Sequence, residues 1–246
     1  MKIFLLALLS LSLLASAHGA GGTTIPPEEF LGLPAPTSII QGAVFLIALA
    51  LFFALWKRDA LSGDDKKLLF LLIAVPAVFS SVYLAGFSML LNLKSESGGP
   101  VHWHADYEVW ACGERLELVP PKDFWINKVG SPLFHSHQDD RIHVEGVLIH
   151  KQDADLGQYF TEIGGQLTED TLVFPTASGL KSFTNGDQCP NGRPGTLMVF
   201  INGALTPDAP DHVFFPDSHV PPGDRIKIVF TDKPASLVNT SLKEAP

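Results

Sequence analysis

The stretch VHWHADYEVWACGERLEL, residues 101–118, decides how the second half of this chain folds. Residues 101–111 alternate along the chain, Cys112-Gly113-Glu114 follows as a turn, and residues 115–119 return, so the segment reads as a β-hairpin. His102 and His104 stand two apart in it. In an extended backbone such residues project from one face, about 7 Å from each other.

The spacing recurs downstream. His135-Ser136-His137 is a second such pair, and His143-Val144-Glu145 places a carboxylate two residues after a histidine. Two imidazoles on one strand face can converge on one ion with nitrogens about 2.0–2.1 Å from zinc, and a ligand from a neighbouring strand completes an open site. His102, His104, His135, His137, His143 and Glu145 are therefore the candidate metal ligands. They exceed the needs of one ion, so either two ions bind or some of the residues, with Asp139 or Asp140, orient an imidazole through its other nitrogen. Imidazole and carboxylate ligation suits zinc, copper(II), nickel or iron(II) and argues against calcium or magnesium. Zinc or copper is favoured outside a cell. His150 falls on the opposite face of a regular strand, and His212 and His219 lie in a Pro/Asp-rich loop, so all three read as ordinary polar residues.

The rest of the domain, 101–231, is mostly strand. Residues 141–149, 171–174, 196–202 and 224–231 read as strands, separated by Pro- and Gly-rich loops. Residues 155–163 begin with Asp155, place Leu156, Tyr159, Phe160 and Ile163 on one side and close on Gly164-Gly165, the marks of a short amphipathic helix. The expectation is an α+β domain, a sheet with one helix packed on it. A Ser-Gly-Gly-Pro linker precedes it (94–100) and a tail follows (232–246).

The first half belongs to another solvent. Residues 1–17 have one lysine, an apolar run and Ala15-Ser16-Ala17, the layout of a secretory signal peptide cleaved after Ala17. Residues 38–56 and 68–93 are apolar runs long enough to cross a hydrocarbon layer of about 30 Å. Pro76 and Ser80-Ser81 are tolerated inside such a helix. Residues 57–67 carry Lys57, Arg58, Lys66 and Lys67, whereas 18–37 has no basic residue, so the positive-inside rule puts 57–67 in the cytoplasm and both 18–37 and the domain outside. Cleavage at Ala17 would expose His18 as an N-terminal copper chelator, a reading its distance in sequence from the other histidines disfavours.

A net charge of −9 and a pI near 5.4 exclude a nucleic-acid binder that works by neutralising phosphates. The bilayer is the expected partner, with an envelope protein as a second. Cys112 and Cys189 form no CxxC. In an oxidising compartment they can join as a disulfide, the alternative being two buried thiols.

Enzyme signatures are weak. HWHAD at 102–106 begins like the HxHxDH motif of metallo-β-lactamase-fold hydrolases, but Tyr107 stands at the sixth position. Residues 102–108 fit the HxHxxxE half of a cupin motif, but no second cupin motif follows. Neither a GxSxG nor a phosphate loop occurs, and no reaction is assigned. Residues 101–118, LFHSHQDDRIHVEGV, DLGQYFTEIGG, GTLMVFING and PPGDRIKIVF together resemble a family of exported, membrane-anchored, HxH-containing domains from archaea and little-studied bacteria. That resemblance implies the domain boundaries and the HxH pairs but no activity. The last two segments also resemble the ends of ubiquitin-like β-grasp domains. Two functional readings remain beside an open-site metalloenzyme: a metal-binding module that buffers, senses or delivers its ion, and an envelope interaction protein with structural histidines.

Overall fold

A computed structural model describes residues 25–122, 127–214 and 223–242; the expected signal peptide, His18 and His219 lie outside them. A short helix α1 (Pro27–Leu31) leads into α2 (Pro36–Trp56) and, after a 3₁₀ turn at Arg58–Ala60, α3 (Gly63–Lys94). Pro36 opens α2 because its fixed φ suits the first helical turn and its missing N–H has no partner to lose. The start of α3 is a capping box: the Ser62 hydroxyl accepts the Asp65 N–H while the Asp65 carboxylate accepts the Ser62 N–H. That cap starts the helix five residues before the apolar run, so the connection between the long helices is shorter than the expected loop 57–67.

Pro76 is absorbed inside α3. Only 6% of the apolar window of each long helix is buried. Phe45, Trp56, Phe70 and Phe79 face outward. Both helices are long and apolar enough to cross a bilayer, and hydrocarbon is the solvent in which such a surface is stable.

The domain after them is α+β. Its main sheet runs β10 (Ala204–Leu205), β9 (Thr196–Ile201), β11 (Asp224–Thr231), β1 (Pro100–Ala111), β5 (Arg141–Val147), β4 (Phe134–Ser136), β3 (Val129–Gly130), with β2 (Glu114–Leu116) also paired to β1. A smaller sheet holds β6 (Gln166–Leu167), β7 (Thr171–Thr176) and β8 (Gly179–Thr184). The first and last strands of the domain, β1 and β11, are parallel neighbours, whereas β5 pairs antiparallel on the other side of β1.

Alternation along β1 sorts its side chains. Trp103, Ala105, Tyr107 and Val109 join the core with Ile142, Val144, Phe134, Ile226, Ile228 and Phe230. The helix α4 (Leu156–Glu162) closes that face: Asp155 caps it by accepting the Gln158 N–H, and Leu156, Tyr159 and Phe160 are fully buried. The Tyr159 ring meets Tyr107 edge-on at 5.6 Å, and Phe160 lies 6.0 Å from Phe174 of the small sheet. Each such burial contributes roughly 1.5–3 kcal/mol. The even-numbered side chains, His102 and His104 among them, are left on the opposite face.

Local features of the domain also differ from expectation. The strand expected over 141–149 stops at Val147, because Gly146 adopts a φ of 133° and residues 148–149 turn back to bond the chain leaving α3. There the Glu96 and Ser97 N–H groups donate to the Ile149 and Leu148 carbonyls, and the Glu96 carboxylate accepts the Lys151 N–H. The expected linker is thus a fixed strap. Strand β8 was not expected; its 179–184 sequence is mostly exposed, with no buried face, and only pairing with β7 organises it.

Cys112 and Cys189 are joined in a disulfide with Cα atoms 5.6 Å apart, tying the β1–β2 turn to the loop between β8 and β9.

Candidate metal centre

Strand register assembles the histidines. His104 on β1 lies opposite His143 on β5, and His143 in turn lies opposite His135 on β4. His102 is paired with Glu145 one step along the same strands. A row of three imidazoles therefore crosses three adjacent strands on the face away from the core, with His102 and His137 flanking it.

The rings pack closely. Centroids of His104 and His143 are 4.7 Å apart, those of His102 and His104 4.6 Å. On the other side, His135 stacks on His143 at 5.4 Å, and His137 meets both His135 and His143 at 4.9 Å. Among the described residues, two groups of three can hold a metal ion, His102/His104/His143 and His135/His137/His143, with ligand atoms in each within 4.8 Å of one another. His143 belongs to both. Glu145 belongs to neither, but its two oxygens lie 3.1 Å from His102 Nε2 and 3.8 Å from His135 Nε2, between the two pairs.

The hydrogen bonds orient these rings. His143 Nε2 lies 2.9 Å from Asp139 Oδ2. Burial raises the Asp139 pKa, but the bond and charge of His143 together with backbone N–H donors outweigh it, holding the carboxyl down at about 2. An ionised carboxylate accepts only, so Nε2 carries the proton and the lone pair of the neutral ring sits on Nδ1. That Nδ1 is buried and has no partner among the described residues, as is true of Nδ1 of His104 and of His135. His137 Nδ1 is 2.8 Å from the Asn127 carbonyl, to which it must donate, leaving Nε2 as the ligand atom. Buried polar atoms without partners are rare in folded proteins, and each calls for an explanation such as a bound water or ion. Replacing Asp139 with asparagine, which keeps an acceptor but removes the charge, is expected to weaken zinc binding by about 10–100-fold, the range for carboxylates behind metal-bound histidines; competition against a chromophoric chelator measures it.

Burial first, then the charge of Lys128, pushes the His135 pKa down to about 4, and burial lowers that of His104, with His143 and His102 adding to the effect. In the metal-free protein these rings stay neutral when folded but take protons near pH 6.5 when unfolded. For His135 the contribution is thus complete above about pH 6.5 and is lost as pH falls toward about 4, by up to roughly 1.4 kcal/mol per pH unit, and His104 adds to the loss in the same direction. Urea midpoints of the chelator-treated chain should fall across this window, and H135Q should flatten the fall.

The other described histidines, His150 and His212, stand apart from the cluster. His150 is not on β5 at all: its Nδ1 faces the Glu96 carboxylate at 3.3 Å and its backbone N–H is capped by Asp153. His212 Nε2 pairs with Asp224 at 2.8 Å. Of the two aspartates considered as orienting groups, Asp139 performs that role and Asp140 pairs with Arg115 instead. Asn127 was missed, since a backbone carbonyl leaves no mark in the sequence.

The fold and site define an α+β domain with a histidine-lined sheet face, carried on two helices long and apolar enough to cross a membrane. Compared with known proteins, the chain matches no family model, no curated protein and no solved structure.

Proposed function

We propose that this protein is a membrane-tethered module that binds a zinc or copper ion outside the cytoplasm, through His102, His104, His135, His137 and His143, for buffering, sensing or delivery. The observation that carries the proposal is the convergence of three strands' histidines, with buried Nδ1 atoms of His104, His135 and His143 that have no partner among the described residues. A row of polar groups that desolvated costs stability unless something binds them. A late transition metal matches their chemistry, since imidazole nitrogens are its preferred neutral ligands.

Placement outside the cytoplasm is supported by two unrelated features. The basic residues Lys57, Arg58, Lys66 and Lys67 cluster between the apolar helices, as cytoplasmic loops do. The Cys112–Cys189 disulfide suits an oxidising compartment.

The full chain, purified in detergent without chelators or a histidine tag, should contain close to one zinc or copper per chain by elemental analysis. Added zinc should raise the melting temperature of the chelator-treated protein. A chain that purifies metal-free and whose melting is indifferent to zinc and copper would sink the proposal and leave the envelope interaction reading.

A further inference from the structure

We propose that the centre holds one ion in either of two three-histidine sites that share His143, and that the ion passes between them by exchanging one histidine pair for the other while His143 stays bound. This rests on the metal-binding reading above and deepens it from storage to transfer.

The shared residue limits occupancy. His143 Nε2 is committed to the Asp139 carboxylate, which leaves Nδ1 as its single lone pair. It cannot ligate two ions at once, so filling one triad empties the other. Nor do the five rings form one shell: two ligand atoms on the same ion, each about 2.1 Å from it, stand no more than roughly 4.2 Å apart, and the histidines fall into two groups of three rather than one of five.

Each triad joins one exposed and one buried histidine to His143: His102 is exposed and His104 buried in the first, His137 exposed and His135 buried in the second. The triad of His102, His104 and His143 lies toward the end of β1 that leaves α3, and the triad of His135, His137 and His143 lies across β5 on the β4 side, so each site has its own exposed ligand. Three imidazoles leave a coordination position open, so an incoming histidine can bind before an outgoing one departs and no bare ion is released. Glu145 lies on the route, one oxygen beside His102 and the other toward His135. With Asp139 it supplies two negative charges, the number that balances a divalent ion.

The test uses the full chain in detergent with cobalt(II) as a spectroscopic probe and zinc for stoichiometry. The wild type should bind one ion. H102A/H104A and H135A/H137A should each still bind one cobalt ion, with visible spectra that differ from each other, and the wild-type spectrum should be a weighted sum of the two, because the ion divides between the two triads. Two ions in the wild type, or loss of binding in either folded pair variant, would overturn the proposal while leaving metal binding intact. A wild type that binds nothing is the separate failure of the underlying reading. If an alanine pair does not fold by circular dichroism, the glutamine pairs H102Q/H104Q and H135Q/H137Q answer the same question.

Discussion

His143→Ala is expected to weaken zinc binding by more than about 100-fold, the largest effect of any single substitution in the centre. The reason lies in the register. His143 stands between His104 and His135 on the middle of three strands, and it is the one residue common to both triads. Its removal leaves two separated pairs, neither with a third imidazole in reach among the described residues. An orienting carboxylate such as Asp139 is worth about 10–100-fold, so losing the ligand it orients, twice over, must exceed that; 100-fold corresponds to about 2.7 kcal/mol. Removing His102 alone should cost far less, because the triad of His135, His137 and His143 survives. Chelator competition on the full chain measures both, and equal losses for H143A and H102A would contradict the shared-ligand geometry.

The second large effect concerns stability. Replacing Cys112 and Cys189 together with serine is expected to lower the unfolding free energy of the domain by about 4 kcal/mol, from the loop of 77 residues the disulfide closes and the chain entropy this removes from the unfolded state. A urea titration followed by tryptophan fluorescence reads the change, and a reductant should reproduce it in the wild type. Zinc affinity in native buffer should stay put. Cys112 lies at the far end of β1 from His102, ten residues away along an extended strand, or about 33 Å. A loss of metal binding on reduction would mean that the two ends of β1 are coupled more tightly than this distance suggests.

Much of the site was legible because its signal is local. An HxH pair needs only an extended backbone to place both rings on one face, and β1 and the β4–β5 segment supply it. The helix at 156–162 was legible for the same reason, since Asp155 and the apolar spacing of Leu156, Tyr159 and Phe160 act within one or two turns. Short strands were not. Val129–Gly130 and Ala204–Leu205 are two residues each, too short for any periodicity, and exist because a neighbouring strand offers hydrogen bonds. The end of β5 was misread because apolar residues continue through Leu148 and Ile149 while the backbone has already turned to meet Glu96 and Ser97.

The sequence by itself determined the two apolar helices, the alternating strand at residues 101–111 and the histidines that converge on one sheet face, because length, polarity and spacing act between near neighbours. Only the tertiary structure decided that His143 is the pivot, that Asp139 rather than Asp140 orients it and that Glu145 lies between the pairs. Those facts depend on which residue faces which across β1, β5 and β4, and strand register is set by the burial of the whole opposite face, from Trp103 and Val144 to Phe134, rather than by the histidines.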